Sequence, residues 1–330
     1  MRPLVSVVIP TRNRAHFLCE AIDSVLTQDY QRTECIVVDG GSTDGTQALL
    51  ASYGARIRWL SEPDSGPYEA IEKGWAMTSA PIISWLNDDD YWLPGAVSTV
   101  VRHFAVSPAP AVVYGSCLGV DTGGRVVWWE RARQWTLDAA VVGMDHVINQ
   151  PAAFLSREAV ARAGGLAYHW IHDHELWIRI GLEGGRFVAI PDLLAAVRIH
   201  DGNASMAPRF AVEQKLKLVE RTFADPRLPA PIARERRRAV SNAYLRGLHY
   251  LRPGRPGDWL LAGRWLAQAI ATCPANAPAA LARPFRLALQ KARRGQELAR
   301  LPVPPPKPRG AGIVHPGVAA PTDSVTRSQP

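Results

Sequence analysis

Leu4-Val5-Ser6-Val7-Val8-Ile9 is a short, nearly all-apolar run that stops at Pro10-Thr11-Arg12-Asn13-Arg14. Beyond that stop, Phe17, Leu18, Ala21, Ile22, Val25 and Leu26 recur at the spacing of one helix face. The same rhythm continues downstream. Glu34 to Val38, Arg56 to Leu60 and Ile82 to Leu86 read as strands, and Ala70, Ile71, Trp75 and Ala76 form another helical stripe. Strands alternating with helices imply parallel β-α-β units and an α/β fold. Such sheets bind ligands at the carboxyl ends of their strands. Attention therefore falls on Pro10 to Arg14, Asp39 to Asp44, Ser61 to Gly66 and Asn87 to Asp90.

From Val112 to Ile199 the pattern is mixed. Ala152 to Leu155, Phe187 to Ile190 and Leu193 to Ile199 read as strands and Asp173 to Glu183 as a helix, completing the same sheet. Beyond Pro208, stretches rich in Ala, Leu and Arg, broken at Pro226, Pro253-Gly254 and Pro274, predict a helical appendage over 206–300. The tail, 301–330, opens with Pro302, Pro304, Pro305, Pro306 and Pro308 and is too poor in apolar residues to offset its chain entropy, so disorder is expected.

At 330 residues the chain exceeds one compact core, which fits a large domain plus a smaller addition. Its net charge of +8 conceals an asymmetry: residues 207–330 hold 22 Lys and Arg against 7 Asp and Glu, a net of +15, leaving −7 upstream. An acidic front suits a divalent cation, and a basic rear suits an anionic surface such as lipid headgroups, or is simply a solvated helical face. Arg234, Arg236, Arg237 and Arg238 come without any nucleic-acid-binding motif, so no nucleic-acid partner is expected. Cys19, Cys35, Cys117 and Cys273 lack metal-site or redox spacing and read as reduced thiols. No apolar run reaches the roughly 18 residues that span a bilayer, and Met1-Arg2-Pro3 leads straight into a strand. A cytoplasmic protein is expected, with peripheral contact at the inner membrane face as a further expectation.

Trp85-Leu86-Asn87-Asp88-Asp89-Asp90-Tyr91-Trp92-Leu93-Pro94 drives an apolar strand into three consecutive carboxylates. Adjacent like charges repel and resist desolvation unless a cation neutralises them. Two readings fit the pattern: a solvated turn capping a helix that starts near Pro94, or a site for Mg²⁺ or Mn²⁺ completed by water and substrate phosphates.

In order along the chain, Ser6 to Arg14, Ile36 to Thr46, Ser61 to Ala70 with Lys73-Gly74, and Asn87 to Asp90 resemble the motifs of glycosyltransferase family 2. The resemblance covers residues 1 to about 205 and implies the GT-A type: a Rossmann-like mixed sheet flanked by helices, followed here by the C-terminal helical appendage. It implies an inverting enzyme that moves a sugar from a nucleoside-diphosphate sugar to an acceptor hydroxyl, as in cell-surface polysaccharide or glycoconjugate synthesis. Residues 1–110 would then form the nucleotide-sugar half and 111–205 the acceptor half. By the same resemblance Pro10, Thr11, Asn13, Asp39, Asp64 and Asp88 would bind the nucleotide-sugar, and Asp89 would hold Mn²⁺ or Mg²⁺ bridging the diphosphate. Two positions depart from the family pattern: Gly40, where many members carry an acid that helps read the base, and Asn87, where the motif begins with an acid. They leave the nucleotide open.

His172-Asp173-His174-Glu175-Leu176-Trp177 resembles the family's acidic motif at the start of an acceptor-side helix. Asp173 is the candidate base, with Glu175 its rival on another side of the helix. His200, in Arg198-Ile199-His200, matches a segment whose histidine completes the metal shell. Trp128, Trp129, Trp135 and Trp170 are unassigned, because tryptophans serve cores as readily as sugars. A glycan or lipid-linked acceptor is expected, the latter because Trp259, Leu260, Leu261, Trp265, Leu266 and Ile270 alternate with arginines as in a membrane-surface helix. The alternative function is an inactive nucleotide-sugar-binding scaffold.

Overall fold

The structure, a computed structural model, describes residues 2–166, 172–200, 208–251 and 256–282. Trp170, the loop after His200 and the tail 301–330 lie outside the described residues.

Strands β1 (Val5–Thr11), β2 (Thr33–Asp39), β3 (Arg58–Ser61) and β4 (Ile82–Trp85) stand parallel in the order β3-β2-β1-β4. The intervening helices are α1 (Ala15–Leu26), α2 (Thr46–Ser52) and α3 (Pro67–Ala76). There follow β5 (Tyr91–Trp92), α4 (Ala96–Phe104), β6 (Val112–Asp121), β7 (Val126–Glu130), α5 (Leu137–Val141), β8 (Ala153–Ser156), α6 (Arg157–Arg162), α7 (His172–Leu182) and β9 (Phe187–Ile199). From β4 the sheet continues through β8, β6 and β9 to β5, with β7 paired to β6. β8 is antiparallel to both neighbours, β6 and β9 run parallel, and β5 returns antiparallel on β9. The sheet is therefore mixed.

Both faces of the parallel part are covered, which is why its strands read as continuous apolar runs. Val8, Ile36 and Val38 point to one side, against Ala70, Ile71 and Trp75 of α3. Val5, Val7, Ile9 and Val37 point to the other, against Leu18, Ile22 and Val25 of α1 and Leu49 and Leu50 of α2. Helix α3 lies so close to β1 that a Cβ at Gly74 would come within 2.5 Å of the Val8 side chain.

Three expectations need correction. The third strand begins at Arg58 because Gly54–Arg56 forms a 3-10 turn, with Gly54 at φ +57°. Residues 187–199 form one strand instead of two. Pro191 cannot donate to the ladder, but the β6–β9 register shifts around Ser116, and the Ser116 hydroxyl donates to the Pro191 carbonyl at 2.8 Å. Finally, the acidic run caps no helix. Tyr91 and Trp92 pair with Ala196 and Ala195 as β5, and α4 starts at Ala96 after Gly95.

The C-terminal helices are α8 (Pro208–Phe223), α9 (Ala230–Ala233), α10 (Arg236–Gly247) and α11 (Pro256–Thr272). Leu218 of α8 joins the main core, and Val219, Ala239 and Ala243 enclose Met144. Asn242 and Arg246 donate to the carbonyls of Val142 and Gly143 at 2.8 and 3.1 Å. The expected apolar face of α11 divides: Trp265 is buried on α10 while Trp259 and Leu260 are 71% and 80% exposed.

Replacing a helical glycine by alanine ordinarily stabilises by about 1 kcal/mol, whereas overpacking a core costs about 1–3 kcal/mol. At Gly74 the contact with Val8 decides the sign. Gly74→Ala is expected to lower the urea midpoint; a raised midpoint would show that α3 can lift off β1 at little cost.

Candidate active site

The carboxyl ends of β1, β4 and β9 converge on one cleft of about 690 Å³, whose far wall is built from α7, α8 and the segment 146–151. Thr11, closing β1, donates its hydroxyl to Asp88 Oδ2 at 2.7 Å. Arg14, just before α1, brings Nη1 to 2.6 Å from Asp89 Oδ2 and 3.6 Å from Asp88 Oδ1. His200, directly after β9, sets Nε2 3.1 Å from Asp89 Oδ2. Asp90 turns inward: its oxygens accept from the Arg198 amide at 3.0 Å and from Asn87 Nδ2 at 2.9 Å. Asn87 thus supplies a donor that a carboxylate at that position would lack. Arg198 donates Nε to the Asp89 carbonyl at 3.2 Å and ion-pairs with Glu20.

All three acids are buried, Asp89 to 8% exposure, which corrects any view of them as solvated strand-end charges. Burial pushes the Asp88 carboxyl up to about 7; the Thr11 hydrogen bond opposes this and the Asp89 charge reinforces it. Burial, then Asp89, also raises Asp90 well above the usual carboxylate range. Arg14 and Arg198 bring two guanidinium groups against four carboxylates, Glu20 included, so this group of acids stays short of positive charge.

Pro10, Thr11, Asp64 and Asp88 line the cleft together, whereas Asn13 and Asp39 do not. Asp39 is fully buried, accepting from the Ser42 amide at 3.1 Å, the Ser42 hydroxyl, and the Ser61 hydroxyl at 2.7 Å. Asn13, at φ +55°, accepts from the Thr43 amide at 2.8 Å. These two residues tie the loops after β1, β2 and β3 together and shape the cleft from behind. Asp64 fills the space beside Gly40, where a Cβ would meet its Oδ2 at 2.7 Å. Its acidity is weakened by burial.

On the far wall Asp173 faces the cleft, with Oδ2 2.9 Å from His146 Nε2 and Oδ1 accepting from the His174 amide at 2.7 Å. Glu175 takes Arg221 at 2.8 Å and does not line the cleft, as its helical position requires. Lys215 of α8 and Tyr250 line the same wall. Burial, then the Arg246 charge, lowers the Lys215 ammonium to about 8. Of the tryptophans, Trp135 stacks on Phe187 at 4.0 Å and belongs to the core.

Among the described residues no three His, Cys, Asp or Glu side chains group as a protein-only metal cage. The donor chemistry nevertheless fits a cation that takes most of its shell from elsewhere. Two ligands at right angles and about 2.1 Å from a common ion lie about 3.0 Å apart. His200 Nε2 and Asp89 Oδ2 are 3.1 Å apart, and Asp88 adds a second buried carboxylate.

The family model described as Glycosyl transferase family 2 matches residues 6–162, which carry β1 to β8 and the whole acidic run. Those residues belong to glycosyltransferase family 2. An uncharacterized glycosyltransferase of Rickettsia typhi is 26% identical over 211 residues, covering 62% of this chain and 66% of that protein. Matches to further curated Rickettsia relatives span 19% and 58% of their lengths. Among solved structures, a mannosyltransferase from Pyrobaculum calidifontis in complex with GDP-Man and Mn²⁺ aligns at a TM-score of 0.55 and 20% identity, covering 91% of this chain and 87% of that one. S. aureus TarS 1–349 in complex with UDP-GlcNAc aligns at 0.61 and 15% identity, covering 90% and 89%. The fold is the GT-A fold of this family.

Within the family 2 domain, Arg14 is a site residue that sequence reasoning left unassigned, although it sits inside the opening motif. His146, Lys215 and Tyr250 were missed because no local pattern brings them to Asp173; Lys215 and Tyr250 arrive from the C-terminal region.

His174 is buried, its Nε2 3.2 Å from the Ala140 carbonyl, and burial holds it well below its usual range. The unfolded chain therefore binds a proton near pH 6.5 that the folded chain refuses, so this group costs stability as pH falls below about 6.5. Between pH 7.5 and 5.5 the wild type should lose more stability than His174→Gln, with a slope difference approaching about 1.4 kcal/mol per pH unit at the acid end. Parallel urea-midpoint profiles would show that His174 takes up its proton without unfolding.

Proposed function

We propose that the chain is an inverting glycosyltransferase that moves a sugar from a nucleoside-diphosphate sugar to an acceptor hydroxyl with the help of Mn²⁺ or Mg²⁺. The observation that carries this reading is one cleft lined on one wall by Asp88 and Asp89 and on the other by Asp173. Pro10, Thr11, Asp64 and Asp88 bind the nucleotide-sugar, while Asn13 and Asp39 hold its loops. Asp89 and His200 would hold the metal, whose positive charge would stabilise a diphosphate leaving group. GDP-Man with Mn²⁺ and UDP-GlcNAc in the two aligned structures support this class of donor without choosing a nucleotide.

Asp173 accepts the acceptor's hydroxyl proton while that oxygen bonds to the anomeric carbon and the bond to the diphosphate breaks on the opposite side. A single displacement inverts the anomeric centre. His146 and the His174 amide hold the carboxylate in place.

Asp173→Asn is expected to keep the thermal shift given by a nucleoside-diphosphate sugar with Mn²⁺ but lose about 10²–10⁴-fold in transfer. Asp89→Asn should lose the Mn²⁺-dependent part of that shift, and His200→Ala should weaken it less. Undiminished transfer in Asp173→Asn moves the base elsewhere. Binding across a donor panel without turnover in the wild type would leave a scaffold.

A second reading concerns the acceptor. Trp259 and Leu260 are exposed in a region of net charge +15, and none of the described helices is long and apolar enough to cross a membrane. Lying on an anionic membrane, α11 would present a lipid-linked acceptor to the cleft, a cytoplasmic inner-face arrangement. Sedimentation with anionic vesicles should exceed that with neutral ones and weaken with salt and in Trp259→Ser/Leu260→Ser. Equal recovery in the supernatant throughout would sink it.

A further inference from the structure

Lys215 differs from the other buried charges around the cleft. It sits on α8 one turn before Leu218, which is sealed in the main core, and is itself only 6% exposed. Yet it lines the cleft beside Asp173 and Tyr250. Among the described residues its ammonium has no hydrogen-bond or ion-pair partner, and its Nζ is not among the partnerless polar atoms shut off from the surface.

The nearest carboxylates in its field are already committed. Asp173 is held by His146 at 2.9 Å and by the His174 amide. Asp145 takes Arg246 at 3.2 Å and Arg133 at 3.4 Å. Arg246 also acts on Lys215, and neither acid reaches its ammonium with a hydrogen bond or an ion pair. A buried ammonium without a counter-charge is costly, and an apolar side chain would pack there without that cost. The missing counter-charge then belongs to a ligand that enters through the cleft.

We propose that Lys215 is the anion-binding residue of the acceptor subsite, so that the acceptor carries a phosphate or carboxylate close to the hydroxyl that Asp173 deprotonates. This rests on the reading of the cleft as a glycosyltransferase site. An acidic acceptor is drawn to Lys215, and its hydroxyl is brought to Asp173 on the same wall. The donor diphosphate is held on the opposite wall, by residues of the strand ends.

The test uses the full chain as wild type, Lys215→Met and Lys215→Arg, with Mn²⁺ and saturating UDP or GDP to fill the donor side. Inorganic phosphate, glycerol 3-phosphate, glycerate and uncharged glycerol are titrated at fixed ionic strength, and melting temperatures are read. Without added anion, Lys215→Met should melt at or above the wild type. An anion should raise the wild-type melting temperature and glycerol should not. Lys215→Met should shift the half-saturating anion concentration up by about tenfold to a hundredfold, and Lys215→Arg should restore most of it. The stronger of glycerol 3-phosphate and glycerate tells phosphate from carboxylate. Equal anion shifts in wild type and Lys215→Met, or a Lys215→Met protein that fails to fold, overturns the proposal. The two readings fail separately: no nucleotide shift refutes the donor site, whereas a nucleotide shift without a Lys215-dependent anion shift refutes the anion subsite.

Discussion

Three neighbouring carboxylates buried at the end of a central strand are the constraint around which the rest of the molecule is arranged. Asp88, Asp89 and Asp90 cannot be withdrawn from water as three bare charges, so each is answered differently. Asp88 receives the Thr11 hydroxyl, Asp89 receives Arg14 and His200, and Asp90 receives Asn87 and a strand amide. These partners come from β1, the residue before α1 and the end of β9, so answering the acids fixes how the first and last strands of the sheet, in chain order, meet. A cation brought in with a substrate would enter a site where Arg14 and Arg198 supply less positive charge than the neighbouring acids carry.

The sheet was legible because its strands are buried on both faces and flanked by polar stops. Val5 to Ile9 and Glu34 to Val38 needed no tertiary information, and the acidic run identified itself by its position at a strand end. Local patterns failed where a distant partner decides the outcome. Tyr91 and Trp92 read as the approach to a helix until Ala195 and Ala196 claim them as a strand, and Pro191 reads as a break until a bulge in the ladder absorbs it. The candidate site divides the same way. Asp88, Asp89, Asp173 and His200 lie in dense local motifs, and the structure brings the first three to the cleft and the fourth against Asp89. Asp39 and Asn13 occupy motif positions yet face into the loops, because a motif records which residues are needed and not whether they touch a ligand or hold what does.

The C-terminal helices are more closely joined to the domain than their composition suggests. An appendage read from its arginines and prolines turns out to place Leu218 in the main core and Lys215 and Tyr250 in the cleft wall. Most of its described arginines stay at the surface, but Lys215 and Arg246 turn inward against the domain. Removing it would open the cleft as well as shorten the chain.

The contact between Gly40 and Asp64 also bears on how such a cleft can change over generations. A Cβ at position 40 would stand 2.7 Å from the Asp64 carboxylate, so the two positions compete for one volume. An acid can occupy that volume from either loop but not from both at once. A side chain at residue 40 is accommodated only if the Asp64 carboxylate swings aside or residue 64 shortens. The two loops are therefore coupled through one side chain, and the residue found at either position constrains what the other can accept.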